Sequence, residues 1–113
     1  MKYPIIYVPC LKVKGMALFP FILVSERKYI IDNQIILHET IHLKQQLELF
    51  IFPFYLIYIA NFFINLILYK NSYLAYYHII FEREAFTNDT DKLYLQKRKL
   101  WSFLKYIKLS VPL

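Results

Sequence analysis

Residues 37–48 read LHETIHLKQQLE, and the fold and the chemistry of the chain both turn on that stretch. On an α-helix, positions four apart lie only about 40° apart around the axis, so His38 and His42 share one face with one turn between them. Both imidazoles can then reach a single tetrahedral Zn²⁺ at about 2.0–2.1 Å. Glu39 is turned about 100° from His38, poorly placed as a third ligand but suited to a water beside the ion, where its expected role is general base. The bland alternative is two surface histidines on an amphipathic helix, yet two of only three histidines in the chain fall within this H-E-x-x-H pattern.

Working outward, Asp32 is a natural N-cap for a helix running from 33 to about 52, which Pro53 ends or kinks. Before it, IIYV and MALFPFILV are β-branched or aromatic enough for strands, with Gly15 as the turn between them. Pro20 removes a ladder donor, so the second run, 16–24, is expected to lie at a sheet edge or carry a bulge, and an edge there could receive an extended peptide. After the metal helix, 49–69 carries no charge over 21 positions, long enough for a single membrane span. Tyr58, Asn61 and Asn65 draw a polar stripe down that helix, which favours a core helix or one lying on a membrane over a span. Asn71 or Ser72 caps a further helix over 72–87, and Asn88–Asp91 leads into a basic amphipathic helix over 92–108.

A zinc site needs a third protein ligand and an open position. The stretch 81-FEREAFTND-89 offers Glu82 and Glu84, about 200° apart on a helix, so only one of them can face the metal. His78, one turn before Glu82, is a candidate fourth ligand or oxyanion donor, and Arg83 and the tyrosines Tyr76 and Tyr77 are further oxyanion candidates. Gln45 and Gln46 follow His42 closely enough to hydrogen-bond a ligand.

H-E-x-x-H followed on a second helix by E-x-E-A resembles the gluzincin metallopeptidases, in a chain of minigluzincin size, over residues 38 to 86. The intervening stretch 45-QQLELFIFPFYLIYI-59 also resembles small uncharacterised bacterial proteins with the same pairing of motifs. The resemblance implies Zn²⁺ as cofactor, peptide-bond hydrolysis as the reaction and Glu82 as the third ligand. The pattern departs at one place: where related membrane-embedded peptidases have Asp after the Ala, this chain has Phe86, so the carboxylate that supports a ligand there is missing.

Composition sets the surroundings. Hydrophobic residues make up 58% and aromatics 19% of 113 residues, above an ordinary soluble domain, so contact with a membrane surface or a hydrophobic partner protein is expected. The net charge of +6 includes six basic residues and no acid between Lys92 and Lys108, which suits anionic headgroups. No nucleic-acid recognition pattern accompanies that tail. Cys10 is the only cysteine, which excludes an internal disulfide and a thiolate zinc site. The early prolines and lysines leave no continuous apolar signal region, so a cytoplasmic-side, membrane-associated location is expected. The sequence thus predicts one α+β, mainly α, zincin-like domain over 1–113, with a short N-terminal hairpin or edge strand (1–31) and three to four helices (32–52, 53–69, 72–87, 92–108). Its expected function is a zinc metallopeptidase acting on a peptide or protein substrate, or alternatively a zinc-stabilised adaptor without catalysis.

Overall fold

A computed structural model describes residues 3–107 and shows a small α+β domain that is mainly helical. Three short strands, β1 (Ile5–Tyr7), β2 (Gly15–Leu18) and β3 (Phe21–Val24), form one sheet in the order β1-β3-β2. The β1–β3 pairing is parallel and the β2–β3 pairing antiparallel, with Ala17 opposite Ile22. The run 16–24 is therefore not one edge strand: Phe19 and Pro20 turn it into a hairpin, of whose two strands β2 lies at an edge of the sheet and β3 at its centre. Pro20 is spared the ladder by sitting in the turn, where its missing N–H costs nothing.

Gly15 is not the turn residue expected of it. It opens β2, and its lack of a side chain serves close packing: a Cβ there would meet Ile35 Cγ2 at 3.0 Å and the Glu39 side chain at 3.3 Å. The glycine thus lets the edge strand lie directly on the helix that carries the histidines.

That helix, α1 (Asn33–Glu48), starts where expected. Asp32 Oδ1 accepts from Gln34 N at 3.0 Å and Ile35 N at 3.1 Å, a cap typically worth about 1 kcal/mol. It ends four residues earlier than 52, because Pro53 belongs to the first turn of α2 (Phe52–Tyr69), where a proline needs no N–H. The reversal between the helices must therefore precede Pro53, and it is made by Phe50 and Ile51 at φ of 60° and 67°.

The expected helix over 72–87 is two helices, α3 (Ser72–Tyr77) and α4 (Ile80–Asn88). Asn71 caps the first by accepting from Leu74 N, and Asn61 of α2 explains the break: its Oδ1 accepts from Ile80 N at 2.8 Å, satisfying the donor exposed by the interruption. The basic helix over 92–108 does not form among the described residues. One turn, α5 (Tyr94–Lys97), gives way to an extended Arg98 and a 3₁₀ turn at Ser102–Tyr106, while Lys108 lies outside the described residues. The cause is Arg98 itself, whose guanidinium enters the interior to pair with Glu48 at 2.6 Å and Glu84 at 2.6 Å. A buried, doubly paired arginine outweighs the few tenths of a kcal/mol that helix propensity offers each residue.

Two apolar clusters flank α1. Ala17, Ile22, Val24 and Leu43 pack the sheet onto it, and Phe54, Ile79, Phe81 and Phe103 join α2, α4 and the C-terminal segment. The face of α1 that carries His38 and His42 lies between them.

Candidate metal centre

The histidines of α1 and Glu82 of α4 converge. His38 Nε2 and His42 Nε2 each lie 3.0 Å from the same oxygen, Glu82 Oε1, and all three residues are buried. Ligands bound at about 2.0–2.1 Å in a tetrahedral shell sit about 3.3 Å from one another, so the two His–Glu82 spacings need to open by only about 0.3 Å to match a metal shell. His38, His42 and Glu82 could hold a metal ion.

The far side of each ligand is anchored. Asp89 Oδ2 lies 3.0 Å from His38 Nδ1, and Gln45 Oε1 lies 2.8 Å from His42 Nδ1. Acceptors at both Nδ1 atoms hold the Nδ1–H tautomer, which leaves the Nε2 lone pairs pointing at Glu82. Tyr58 of α2 donates its hydroxyl to the other Glu82 oxygen, Oε2, leaving Oε1 to the histidines. Each anchor is itself held: Gln34 donates to Asp89 at 3.1 Å, and Gln45 donates to Phe81 O and to Glu84.

Three lone-pair donors therefore meet with no proton between them unless an imidazole is charged. Burial opposes the His42 imidazolium, but the Glu82 carboxylate outweighs it and holds His42 up at about 9. Burial likewise opposes the Glu82 carboxylate, and the two imidazoles outweigh it, holding Glu82 below the ordinary carboxylate range. Glu39, Glu82 and Asp89 are all buried within this group. Buried carboxylates around bare imidazole nitrogens need positive charge, and a divalent cation supplies it without protonating a ligand. The donor set fits a metal.

Glu39 stands beside the cluster but hydrogen-bonds none of it; burial, first of all, raises its carboxyl above the usual value. It lines a cleft of about 370 Å³ together with Gly15, Met16 and Leu18 of β2 and Phe54, Tyr55 and Tyr58 of α2. Tyr76 borders the same cleft, its hydroxyl close to Glu82.

The edge of β2 faces this cleft. Ile22 and Val24 turn their hydrogen-bonding groups toward β1, so their partners Ala17 and Gly15 turn theirs outward. Gln46 takes the far end of that edge, donating to Ala17 O at 2.9 Å and accepting from Phe19 N at 3.0 Å. Gly15 N–H, Gly15 C=O and Ala17 N–H are left pointing along the cleft.

Other residues expected near the site lie elsewhere. Glu84 is turned away from His38, His42 and Glu82 to Arg98, Tyr94 and Gln45, and among the described residues Gln45 links it to His42. His78 stacks on Tyr69 and bonds Leu74 O, and Arg83 donates to Tyr106 O. Phe86 packs edge-on against His38, with ring centroids 4.6 Å apart. Asp89, expected only to end a helix, pairs with His38, and Tyr58, expected only as part of a polar stripe, donates to Glu82. The available signal was spacing, since Asp89 lies seven residues, two helical turns, after Glu82.

Comparison of the chain with protein-family models, curated proteins and solved structures gave no match.

Proposed function

We propose that the protein is a zinc-dependent metallopeptidase of gluzincin type, with His38, His42 and Glu82 as zinc ligands and Glu39 as general base. One observation carries the reading: Glu39 lies unbonded in a cleft beside three converged ligand atoms whose outer sides are all anchored. Two imidazoles and one carboxylate are a donor set suited to zinc, and the three protein ligands leave a position open. Zinc bound there supplies Lewis acidity, polarising a carbonyl and making water nucleophilic near neutral pH.

The chain's own residues supply the rest. Gly15 and Ala17 bind an extended peptide along the free edge of β2, laying its backbone across the cleft. Glu39, its proton affinity raised by burial, takes a proton from the attacking water and passes it to the leaving amine. The Tyr76 hydroxyl, which burial and the nearby carboxylates keep protonated, donates to the oxyanion that develops on the substrate carbonyl.

One observation favours a second reading, a zinc-stabilised adaptor without catalysis: His78 and Arg83 are both engaged away from the cleft, so Tyr76 is the only one of the predicted oxyanion donors that borders it. Metal analysis together with hydrolysis of a quenched peptide library decides between them. The peptidase reading expects stoichiometric zinc and cleavage that Glu39→Gln abolishes while zinc is retained. Zinc without cleavage in the native chain supports the adaptor, and no zinc in the native chain overturns both.

A further inference from the structure

The longest helix of the domain has one face with no internal partner. Only Phe54 and Asn65 of the 18 residues of α2 are buried, whereas Phe52, Leu56, Ile57, Ile59, Phe63, Ile64, Ile67 and Leu68 are exposed. These eight fall within about half of the helix circumference and run its whole length, about 27 Å at 1.5 Å per residue. The polar side chains occupy the opposite side, and each is satisfied inside the domain. Tyr58 donates to Glu82, Asn61 accepts from Ile80 N and donates to Asn65, and Asn65 donates to Ala75 O.

We propose that α2 docks the protein on a lipid bilayer, lying in the plane of the membrane with this apolar face among the acyl chains. A protein interface typically carries about one hydrogen bond per 100–200 Å² and a polar rim. The exposed face of α2 offers no side-chain donor or acceptor along its length, which a partner protein would need for register and lipid does not. Charge decides between a bilayer and a second copy: the chain carries +6, so two copies repel where an anionic headgroup layer attracts. Lys70, directly after α2, and the exposed aromatics Tyr73, Tyr77 and Trp101 suit the headgroup level.

The orientation follows from the rest of the domain. The molecule measures 40 × 32 × 26 Å, so standing α2 upright in a hydrocarbon layer about 30 Å thick would draw much of the domain in beside it. Open ion pairs such as Lys28–Glu26 and Lys97–Asp91 would then risk entering lipid. Lying flat immerses the apolar half-cylinder and leaves the remainder in water.

Tyr58 crosses from α2 to Glu82, so the ligand cluster lies about one helix thickness, roughly 10 Å, from the acyl chains. The cleft would therefore work on peptides held at the membrane surface. That consequence rests on the peptidase reading; the docking does not.

The test uses the full chain and phosphatidylcholine vesicles with and without phosphatidylglycerol. Flotation should carry the native chain with the vesicles, more strongly when phosphatidylglycerol is present. Ile59→Asp, Phe63→Asp and Ile67→Asp should each weaken partitioning by about tenfold or more with bound metal unchanged. As a second measurement, an environment-sensitive dye is placed on Phe52→Cys, Ile59→Cys or Ile67→Cys in a Cys10→Ser background. Fluorescence should rise on vesicle addition, with equal quenching by shallow lipid-borne quenchers at all three positions and no response from Lys28→Cys. Quenching depths that differ by most of a bilayer between Phe52 and Ile67 would show a span and overturn the flat orientation. No vesicle binding, with dye protected instead in a lipid-free dimer, would overturn the membrane as the occupant. Hydrolysis of a short soluble peptide that survives Ile67→Asp keeps the peptidase reading separate from the docking.

Discussion

Asp89 Oδ2 lies 3.0 Å from His38 Nδ1, reaching it from beyond the last residue of α4, three residues after Phe86. From there it reaches the ring nitrogen that faces away from the metal position. Carboxylates in that relation to a ligating histidine fix its tautomer and raise its basicity, and losing one typically costs about 10–100-fold in metal affinity. Asp89→Ala should weaken zinc binding by that factor in competition with a chelator, with Asp89→Asn losing less because an acceptor remains. Equal zinc affinity in native and Asp89→Ala chains would sink the assignment.

Chelation should expose how much of the fold depends on the ion. Without it, the approach of His42 to Glu82 rests on a proton held by His42, and a ligand that binds only the folded state raises stability by mass action. Scanning calorimetry with excess zinc and then with a strong chelator should show a fall in Tm on chelation. His42→Ala should show no such difference.

Proton linkage gives the pH dependence of the metal-free chain. His42 is raised from 6.5 to about 9, so its contribution to stability is full below 6.5 and is lost as pH rises through about 9. Glu82 is lowered from 4.5, so its contribution is present above 4.5 and is lost as pH falls through its lower native value. The metal-free chain should therefore be most stable between these limits, at pH about 4.5–6.5. Zinc binding must displace the His42 proton, so affinity should climb over the range in which metal-free stability falls. Denaturation midpoints across pH about 2–10 check both signs, and calorimetric proton release across pH about 5–10 checks the displacement.

Arg98 ties the C-terminal segment to two helices through Glu48 and Glu84, with its own side chain and both carboxylates buried. Arg98→Ala strands two buried carboxylates, and breaking one partner of such a group typically costs about 3–5 kcal/mol. Denaturant titration should show a loss of that order, and Glu48→Gln combined with Glu84→Gln in the Arg98→Met chain should recover part of it.

Gly15→Val should damage the site more than the fold. The new side chain would press on Glu39 and Ile35, displacing the carboxylate from the cleft and crowding the free edge of β2. Zinc content should hold while peptide hydrolysis falls by at least about tenfold, a 1.4 kcal/mol effect. Unchanged hydrolysis would remove Glu39 and the strand edge from the chemistry.

Local rules reached the features that depend on near neighbours. Asp32 and Asn71 cap helices because a short polar side chain can bond the free N–H groups just ahead of it, and the i, i+4 spacing of His38 and His42 is a property of any helix. The polar stripe of Tyr58, Asn61 and Asn65 was legible for the same reason. Its partners were not, since Glu82, Ile80 and Ala75 lie on other elements.

What the sequence by itself determined was the helical histidine pair, the uncharged helix after it and the small mainly helical α+β class, all consequences of periodicity and capping. Tertiary structure alone decided that Glu84 turns to Arg98, that Asp89 reaches His38 Nδ1, and that 92–107 gives up a continuous helix to bury Arg98. In each case the deciding energy is a charge removed from water, which must find its partner wherever the fold brings one within about 3 Å, however far away in the chain.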